Sequence, residues 1–355
     1  MLVGAVVHPS ILTGTRPFAS PPFGAGSVAV GTIVAMTDSW ADRRVLVTGG
    51  SGFLGRAVVA RLRDAGAAHV IVPRSAEVDL RDRAQTAALF DAERPDLVIH
   101  LAAKVGGIGY NQVHPAELYL DNLLMGTYVV EEARAHDVAK TVLVGTVCSY
   151  PKEPPVPFHE ESLWGGYPEE TNAPYGIAKL AQLVHAQTAR EQYGQSVTYL
   201  IPTNLYGPGD KFNPAVSHVI PALIKKCVEA VEAGADHIEL WGTGSASREF
   251  LYVDDAAEGI VLAAERYDDP DPVNLGTDHE VPIRDLVVDV AAATGFTGEI
   301  RWDPSKPDGQ PRRRVDNSRA RERFGFAATT PFDVGLKRTV EWYLANRTEA
   351  EARAD

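Results

Sequence analysis

From Arg44 onward, short apolar runs alternate with longer stretches of helical spacing. The runs Val45–Val47, His69–Val72, Leu97–Leu101, Thr141–Val144 and Thr198–Ile201 predict strands, and the stretch from about Gly55 to Ala65 predicts a helix. This βαβ rhythm is that of an α/β protein built on a doubly wound parallel sheet. After Pro202 the rhythm loosens, with Gly- and Pro-rich turns around 207–210, 242–245 and 303–312. A smaller α/β domain is expected there. The division that follows is a nucleotide-binding domain over 41–205 and a mainly substrate-binding domain over 206–346, with some segments returning to the first. The charged residues 347–355 are expected as a frayed tail.

Residues 1–40 break the pattern. Up to Thr37 they carry one formal charge, Arg16, among many Gly, Pro and Ser, with no period. Their longest apolar-leaning run, Val28–Met36, is far short of the roughly 20 residues a membrane-spanning helix needs. No cationic segment precedes an apolar one as in a signal peptide. A disordered extension is expected, with Met36 spaced as a start ahead of the first strand.

Composition narrows the function. The 355 residues are 45% hydrophobic and 23% charged, the balance of a folded globular chain. A formal charge of −13 disfavours nucleic acid and anionic membranes as partners. Cys148 and Cys227 are the only cysteines, too few for a disulfide framework and suited to a reducing cytoplasm. No clustered ligand set points to a metal.

The first candidate chemistry follows the first strand. Gly49, Gly52 and Gly55 stand at G-x-x-G-x-x-G spacing between strand and helix, with Phe53 and Leu54 inside the motif. Glycines admit a pyrophosphate close to the backbone, and a helix N-terminus supplies unpaired N–H groups and partial positive charge. The second strand ends in Val72-Pro73-Arg74-Ser75, with no acid for a ribose 2′-hydroxyl. Arg74 suits a 2′-phosphate instead, which favours NADPH over NADH. Asp79 and Leu80 follow as adenine contacts.

The second is Tyr175-Gly-Ile-Ala-Lys179, a phenol and an ammonium four residues apart on one helix face. The lysine charge is expected to lower the phenol's pKa and to grip the nicotinamide ribose. Thr146, at the end of a predicted strand, would hold a substrate carbonyl beside Tyr175.

These residues resemble the extended short-chain dehydrogenase/reductases with their Rossmann-type fold, and within them the GDP-L-fucose synthase family. The resemblance rests on segments starting at His100 (His-Leu-Ala-Ala-Lys-Val-Gly-Gly-Ile), Cys148 (Cys-Ser-Tyr-Pro), Asn172 (Asn-Ala-Pro-Tyr-Gly-Ile-Ala-Lys) and Pro202 (Pro-Thr-Asn-Leu-Tyr-Gly-Pro). Ser217 (Ser-His-Val-Ile-Pro-Ala-Leu), Trp241 (Trp-Gly-Thr-Gly-Ser-Ala-Ser-Arg-Glu-Phe) and Lys306 (Lys-Pro-Asp-Gly) extend it, so that it runs from Arg44 to about Asn346.

The resemblance implies epimerisation of a GDP-4-keto-6-deoxy-sugar at C3 and C5, then reduction at C4 with NADPH. It assigns Cys148 as the base and His218 as the acid of the epimerisation, with Tyr175, Lys179 and Thr146 serving the carbonyl. Leu101, Ala102, Ala103, Pro202, Asn204, Leu205 and His218 join the cofactor contacts. Asn204, Val219, Lys226, Trp241, Arg248, Lys306 and Arg312 take the sugar nucleotide. A homodimer through helices containing 122–135 and 175–190 is also implied. Two departures stand out: Thr146-Val147 where the family has paired serines, and Lys226 where an arginine is common. Two rival readings are a 4-epimerase or related GDP-deoxysugar reductase with tightly bound nicotinamide, and a non-catalytic NADP sensor. The first has no evident need of Cys148 and His218, and the second none of Tyr175, Lys179 and Thr146. Cys227, without a motif around it, is expected in the core.

Overall fold

Residues 39–214, 216–306 and 309–352 are described by the structure, a computed structural model. The first half of the chain alternates as its pattern requires. In order come β1 (Arg44–Thr48), α1 (Phe53–Asp64), β2 (His69–Ile71), α2 (Arg83–Glu93) and β3 (Leu97–His100), followed by α3 (Ile108–Val113), α4 (Pro115–Ala135), β4 (Lys140–Val144), α5 (Ala173–Tyr193) and β5 (Val197–Pro202). The second half contributes β6 (Asn204–Tyr206), α6 (Val219–Ala233), β7 (His237–Trp241), β8 (Ser247–Tyr252), α7 (Val253–Arg266) and β9 (Val273–Leu275). Then come β10 (Glu280–Pro282), α8 (Ile283–Thr294), β11 (Glu299–Asp303), β12 (Arg312–Arg313), α9 (Ser318–Phe324), α10 (Phe332–Ala345) and α11 (Arg347–Ala352).

Six strands form one parallel sheet in the order β2-β1-β3-β4-β5-β9. Helices cover both faces, which is why the inner strands read as unbroken apolar runs and not as alternation. Val45 and Val47 meet α1 and α7 on one face, while Leu46 between them meets Phe90 and Val129 on the other. Small residues of α7, Ala256, Ala257, Ala263 and Ala264, are all fully buried and let it lie close to the sheet. Leu143, Tyr199 and Ile201 pack against Leu180 and Leu183 of α5.

β8 is the centre of the second assembly, flanked by β10, β12 and β6. A separate core of α6, α8 and α10 residues surrounds it and includes Cys227, which is buried as expected. β11 and β7 form a parallel pair beside it. The carboxylate of Glu249, on β8, is fully buried and accepts from the N–H groups of Asp278 (2.9 Å) and Val315 (2.8 Å). The Glu249 carbonyl accepts from Asn204 Nδ2 at 2.8 Å. One residue thereby fixes the loop after β9, the segment after β12 and a predicted substrate contact.

Two expectations at the ends of the chain change. The segment from Arg347 is helix α11 instead of a frayed tail, because Ala350 is fully buried and Arg347 pairs with Glu232 (2.6 Å) and Glu351 (2.9 Å). The expected extension over 1–40 lies outside the described residues up to 38. Its last two residues belong to the fold: Ser39 caps a 3-10 turn, Trp40–Asp42, and the Arg43 guanidinium lies 5.3 Å above the Trp40 ring.

Candidate active site

The glycine loop fits tightly between β1 and β3. Gly49 has φ +72°, and a Cβ there would lie 2.7 Å from the Ala102 nitrogen. A Cβ at Gly55 would lie 2.0 Å from the Gly49 oxygen, so a side chain at either position would push the turn open. Gly52 caps α1 with no side-chain hydrogen bond, leaving the first-turn N–H groups facing out of the helix end. Beneath the loop, Thr48 Oγ1 and His100 Nδ1 lie 2.7 Å apart and tie β1 to β3 just ahead of Leu101–Ala103. Burial, helped by the Lys179 charge, drives the His100 imidazole down to about 3, so it is neutral at physiological pH.

Arg74 is exposed on the loop after β2, and among the described residues its guanidinium has no ion-pair partner. Asp79 is held by Arg81 (2.8 and 2.9 Å), whose hydrogen bonds lower its carboxyl below the ordinary range, and Leu80 is buried behind it. A helix end without a side-chain cap, glycines at the close approach and the exposed Arg74 at the next strand end suit a phosphorylated dinucleotide.

The second half of the site sits where β4 ends. Thr146 caps a 3-10 turn, Val147–Ser149, its hydroxyl accepting from the Cys148 N–H at 3.2 Å. The start of α5, where Pro174 is tolerated in the first turn, is pressed onto this turn. Ser149 Oγ donates to the Gly176 carbonyl at 3.0 Å, and a Cβ on Gly176 would lie 2.4 Å from the Cys148 carbonyl oxygen. That contact brings Tyr175 beside Thr146 and Cys148. Gly176→Ala is accordingly expected to cost about 1–3 kcal/mol of stability through overpacking and to displace the Cys148 turn. Thermal unfolding alongside an activity assay checks this, and an unchanged melting temperature would mean that the contact relaxes freely.

Lys179 is fully buried and donates to the Val144 carbonyl at 2.9 Å, and burial lowers its ammonium to about 8. Two of its three N–H donors remain for a ligand hydroxyl. Here the structure corrects the sequence reading of the pair. The Tyr175 phenol is raised, not lowered: burial dominates, the Cys148 charge acts in the same direction, and the Thr146 hydrogen bond opposes them. Lys179 does not outweigh burial, so Tyr175 keeps its proton at neutral pH and is set up to donate it.

His218 caps α6 and is open to solvent, yet protein surrounds it on most sides. Lost hydration, with Lys211 and Arg313 nearby, holds its imidazole below the usual range. A Cβ on Gly107 would lie 2.9 Å from the Ser217 carbonyl oxygen, so the loop after β3 packs directly beneath the His218 segment.

Sequence reasoning missed Arg313. Its Nη1 lies 3.7 Å from the Cys148 sulfur, and its Nε donates to Gln310 Oε1 at 3.0 Å. The signal was the run Arg312-Arg313-Arg314 in a strand, where neighbours point to opposite faces. Arg313 is buried, whereas exposed Arg312 pairs with Glu280 (2.9 Å) and lowers that carboxyl to about 2.

Among the other expected substrate contacts, Trp241 is 72% exposed, with Lys306 Nζ 5.6 Å above its ring. Arg248 donates to the carbonyls of Ser247 (2.7 Å) and Gln310 (2.6 Å), next to the Arg313 anchor. Lys226 donates to the Glu239 carbonyl at 2.7 Å, and Val219 opens α6 beside His218. Pro202 and Leu205 flank Asn204 where β5 passes into β6. A separate surface recess of about 540 Å³, lined by Tyr206, Phe250, His279 and Phe332 among others, contains none of these residues. Among the described residues no group of three or more His, Cys, Asp or Glu is placed to hold a metal ion. None of the described helices is long and apolar enough to cross a membrane.

Known proteins resemble the chain over most of its length. A GDP-L-fucose synthase of Arabidopsis thaliana is 40% identical over 89% of this chain and 98% of its own length. The GDP-L-fucose synthase of Escherichia coli is 36% identical over 86% of this chain and 98% of its own. The crystal structure of a GDP-L-fucose synthetase from Naegleria fowleri bound to NADP superposes with a TM-score of 0.79 at 31% identity, covering 87% of this chain and 96% of that one. The model of the NAD dependent epimerase/dehydratase family matches residues 45–276, which span the glycine loop, the Cys148 turn, Tyr175, Lys179 and His218. With that match over more than half its length, the chain belongs to the NAD dependent epimerase/dehydratase family.

Proposed function

We propose that the chain is an NADP-dependent epimerase/reductase that converts GDP-4-keto-6-deoxy-D-mannose to GDP-L-fucose. The observation that carries this reading is the gathering of a thiol, a protonated phenol and a hydroxyl at one turn. Tyr175 bonds Thr146, Cys148 lies close enough for its charge to act on Tyr175, and Arg313 is near both Cys148 and His218. An enzyme that only moved a hydride would need Tyr175, Lys179 and Thr146 but neither Cys148 nor His218.

In this reading the α1 end and Gly49, Gly52 and Gly55 hold the pyrophosphate of NADPH. Arg74 meets its 2′-phosphate, Asp79 and Leu80 its adenine, and Lys179 the nicotinamide ribose. Bound there, NADPH supplies the hydride for C4. The chain's own residues do the proton work. Cys148 removes the proton at C3 or C5, so that an S–H bond forms as the C–H bond breaks and the electron pair moves onto the C4 oxygen. Thr146 and Tyr175 donate hydrogen bonds to that oxygen. His218 returns a proton from the other side, which inverts the centre. In the reduction Tyr175 gives its proton to the C4 oxygen. Trp241 and Lys306 wall the nucleotide, with Lys226, Arg248 and Arg312 as cations for its phosphates and Asn204 and Val219 beside the sugar.

A second copy of the chain docks on α4 and α5, a reading supported by exposed Leu120 and Val184. Both cysteines are free thiols, in keeping with a reducing cytoplasm.

Incubating the purified chain with NADPH and the 4-keto sugar nucleotide, and identifying the product by NMR, tests the whole reading. A product reduced at C4 but unchanged at C3 and C5 would leave a reductase without epimerase activity. For cofactor choice, Arg74→Ala is expected to weaken NADPH binding by about 10–100-fold through loss of a charge-assisted contact and to leave NADH nearly unchanged. Equal losses with both cofactors would place Arg74 elsewhere.

A further inference from the structure

We propose that Arg313 is a positioning residue that keeps the Cys148 sulfur ionised and aimed, and so sets the rate of the first proton abstraction. The proposal rests on the epimerase reading above and adds a residue to it. Arg313 is 9% exposed, and among the described residues no carboxylate pairs with it. A buried guanidinium without an anion is costly, because charge taken out of water must be matched. Its remaining contacts are the neutral Gln310 side chain at 3.0 Å and the Cys148 sulfur at 3.7 Å. The Cys148 sulfur is the contacting group that can carry a balancing negative charge.

The anchoring is itself built. Gln310 Nε2 donates to the Lys152 carbonyl at 2.7 Å, so the residue that orients Arg313 is tied to the segment following the Cys148 turn. β12 runs parallel to β8, with Arg313 opposite Arg248, and strand alternation sends Arg312 the other way, to Glu280. Among the described residues, Tyr175 on α5 and Arg313 on β12 interact with Cys148, while Arg313 and Lys211 both act on His218. Tyr175 is neutral, so Arg313 is the cation in direct contact with the sulfur.

A nearby cation enlarges the ionised fraction of a thiol while lowering its intrinsic basicity only partly, by a Brønsted slope of about 0.4–0.5. The net effect at neutral pH is therefore a faster base. The same charge beside His218 makes that imidazole the stronger acid. One side chain thus biases both partners in the direction the reaction needs.

The test is alkylation of Cys148 by iodoacetamide in the full-length protein without substrate, followed by peptide mass spectrometry so that Cys227 is resolved separately. Arg313→Gln is expected to slow alkylation at pH 7 by about tenfold. At pH 9.5, on the alkaline side of an ordinary thiol, the two rates are expected to converge. Arg313→Lys, which restores the charge, recovers most of the pH 7 rate. Should Arg313→Gln fail to fold, Arg313→Met keeps the buried stem without the charge and serves for the same comparison. Equal rates at pH 7, or a deficit that persists at pH 9.5, would overturn the proposal, the second outcome assigning Arg313 a purely structural role. A second arm follows deuterium entry at C3 and C5 with substrate. A raised KM with unchanged kcat would overturn the proposal by making Arg313 a substrate anchor. An unaltered protein that shows the alkylation coupling but no exchange would sink the epimerase reading and leave the Arg313–Cys148 pair standing.

Discussion

Cys148→Ser is expected to slow exchange of the C3 and C5 protons by about 10²–10⁴-fold, the range that a positioned base contributes. The substitution removes one property. A thiol ionises within reach of neutral pH, whereas a serine hydroxyl is a very poor base there. The shape of the turn should survive, because the Cys148 N–H still bonds Thr146 and the Cys148 carbonyl still packs on Gly176. In the proposed mechanism reduction needs only the ketone, the cofactor and Tyr175, so slow NADPH oxidation should continue on the unepimerised sugar. Its product would retain the D-manno arrangement at C3 and C5. Deuterium incorporation in heavy water, followed with NADPH consumption, separates the two activities. Exchange of both protons at the parent rate would remove Cys148 from the role of base.

The complementary variant is Tyr175→Phe, for which reduction is expected to fall by about 10²–10⁴-fold. The ring remains to fill its place, and only the hydroxyl is lost. Burial and the Cys148 charge keep that hydroxyl protonated well above the ordinary tyrosine range, so the parent enzyme has its proton donor throughout the neutral and mildly alkaline region. The sign follows: a phenol whose pKa is raised loses donor capacity only at still higher pH, so parent reduction should show no alkaline fall from Tyr175 between pH 7 and about 9. Proton exchange should drop less, by about tenfold, because Thr146 still polarises the C4 oxygen. If Tyr175→Phe lost exchange and reduction equally, the phenol would be serving the carbonyl in both steps alike and would not be the specific donor of the reduction.

Much of the first half was legible because its signals are local. Gly49, Gly52 and Gly55 stand in one turn, and Tyr175 and Lys179 on one helix face. The inner strands are apolar on both sides because helices cover both sides. Arg313 was hidden because it reaches Cys148 across 165 residues on a strand two residues long, which no periodicity can reveal. The Tyr175 direction was misread because charge was weighed and burial was not, and burial is a property of the folded chain. Helix α11 escaped notice because its charges find partners elsewhere, Glu232 for Arg347 and Lys225 for Glu351. Such exposed pairs each contribute about 0–1 kcal/mol, so burial of Ala350 is needed beside them.

The late strand β9 bears on how the chain comes off the ribosome. β5 has all six residues buried, yet its outer neighbour, Val273–Leu275, is synthesised about 70 residues afterwards. At roughly 5–20 residues per second that delay is roughly 4–14 s. Throughout it, the nascent β1–β5 sheet presents an apolar edge with unpaired N–H and C=O groups, the kind of edge that recruits other strands. Release of the polypeptide before residue 275 would leave that edge open for good. Chain termination between 205 and 275 should therefore yield aggregates or chaperone-bound fragments, although the nucleotide loop and the Tyr175–Lys179 pair have already been made.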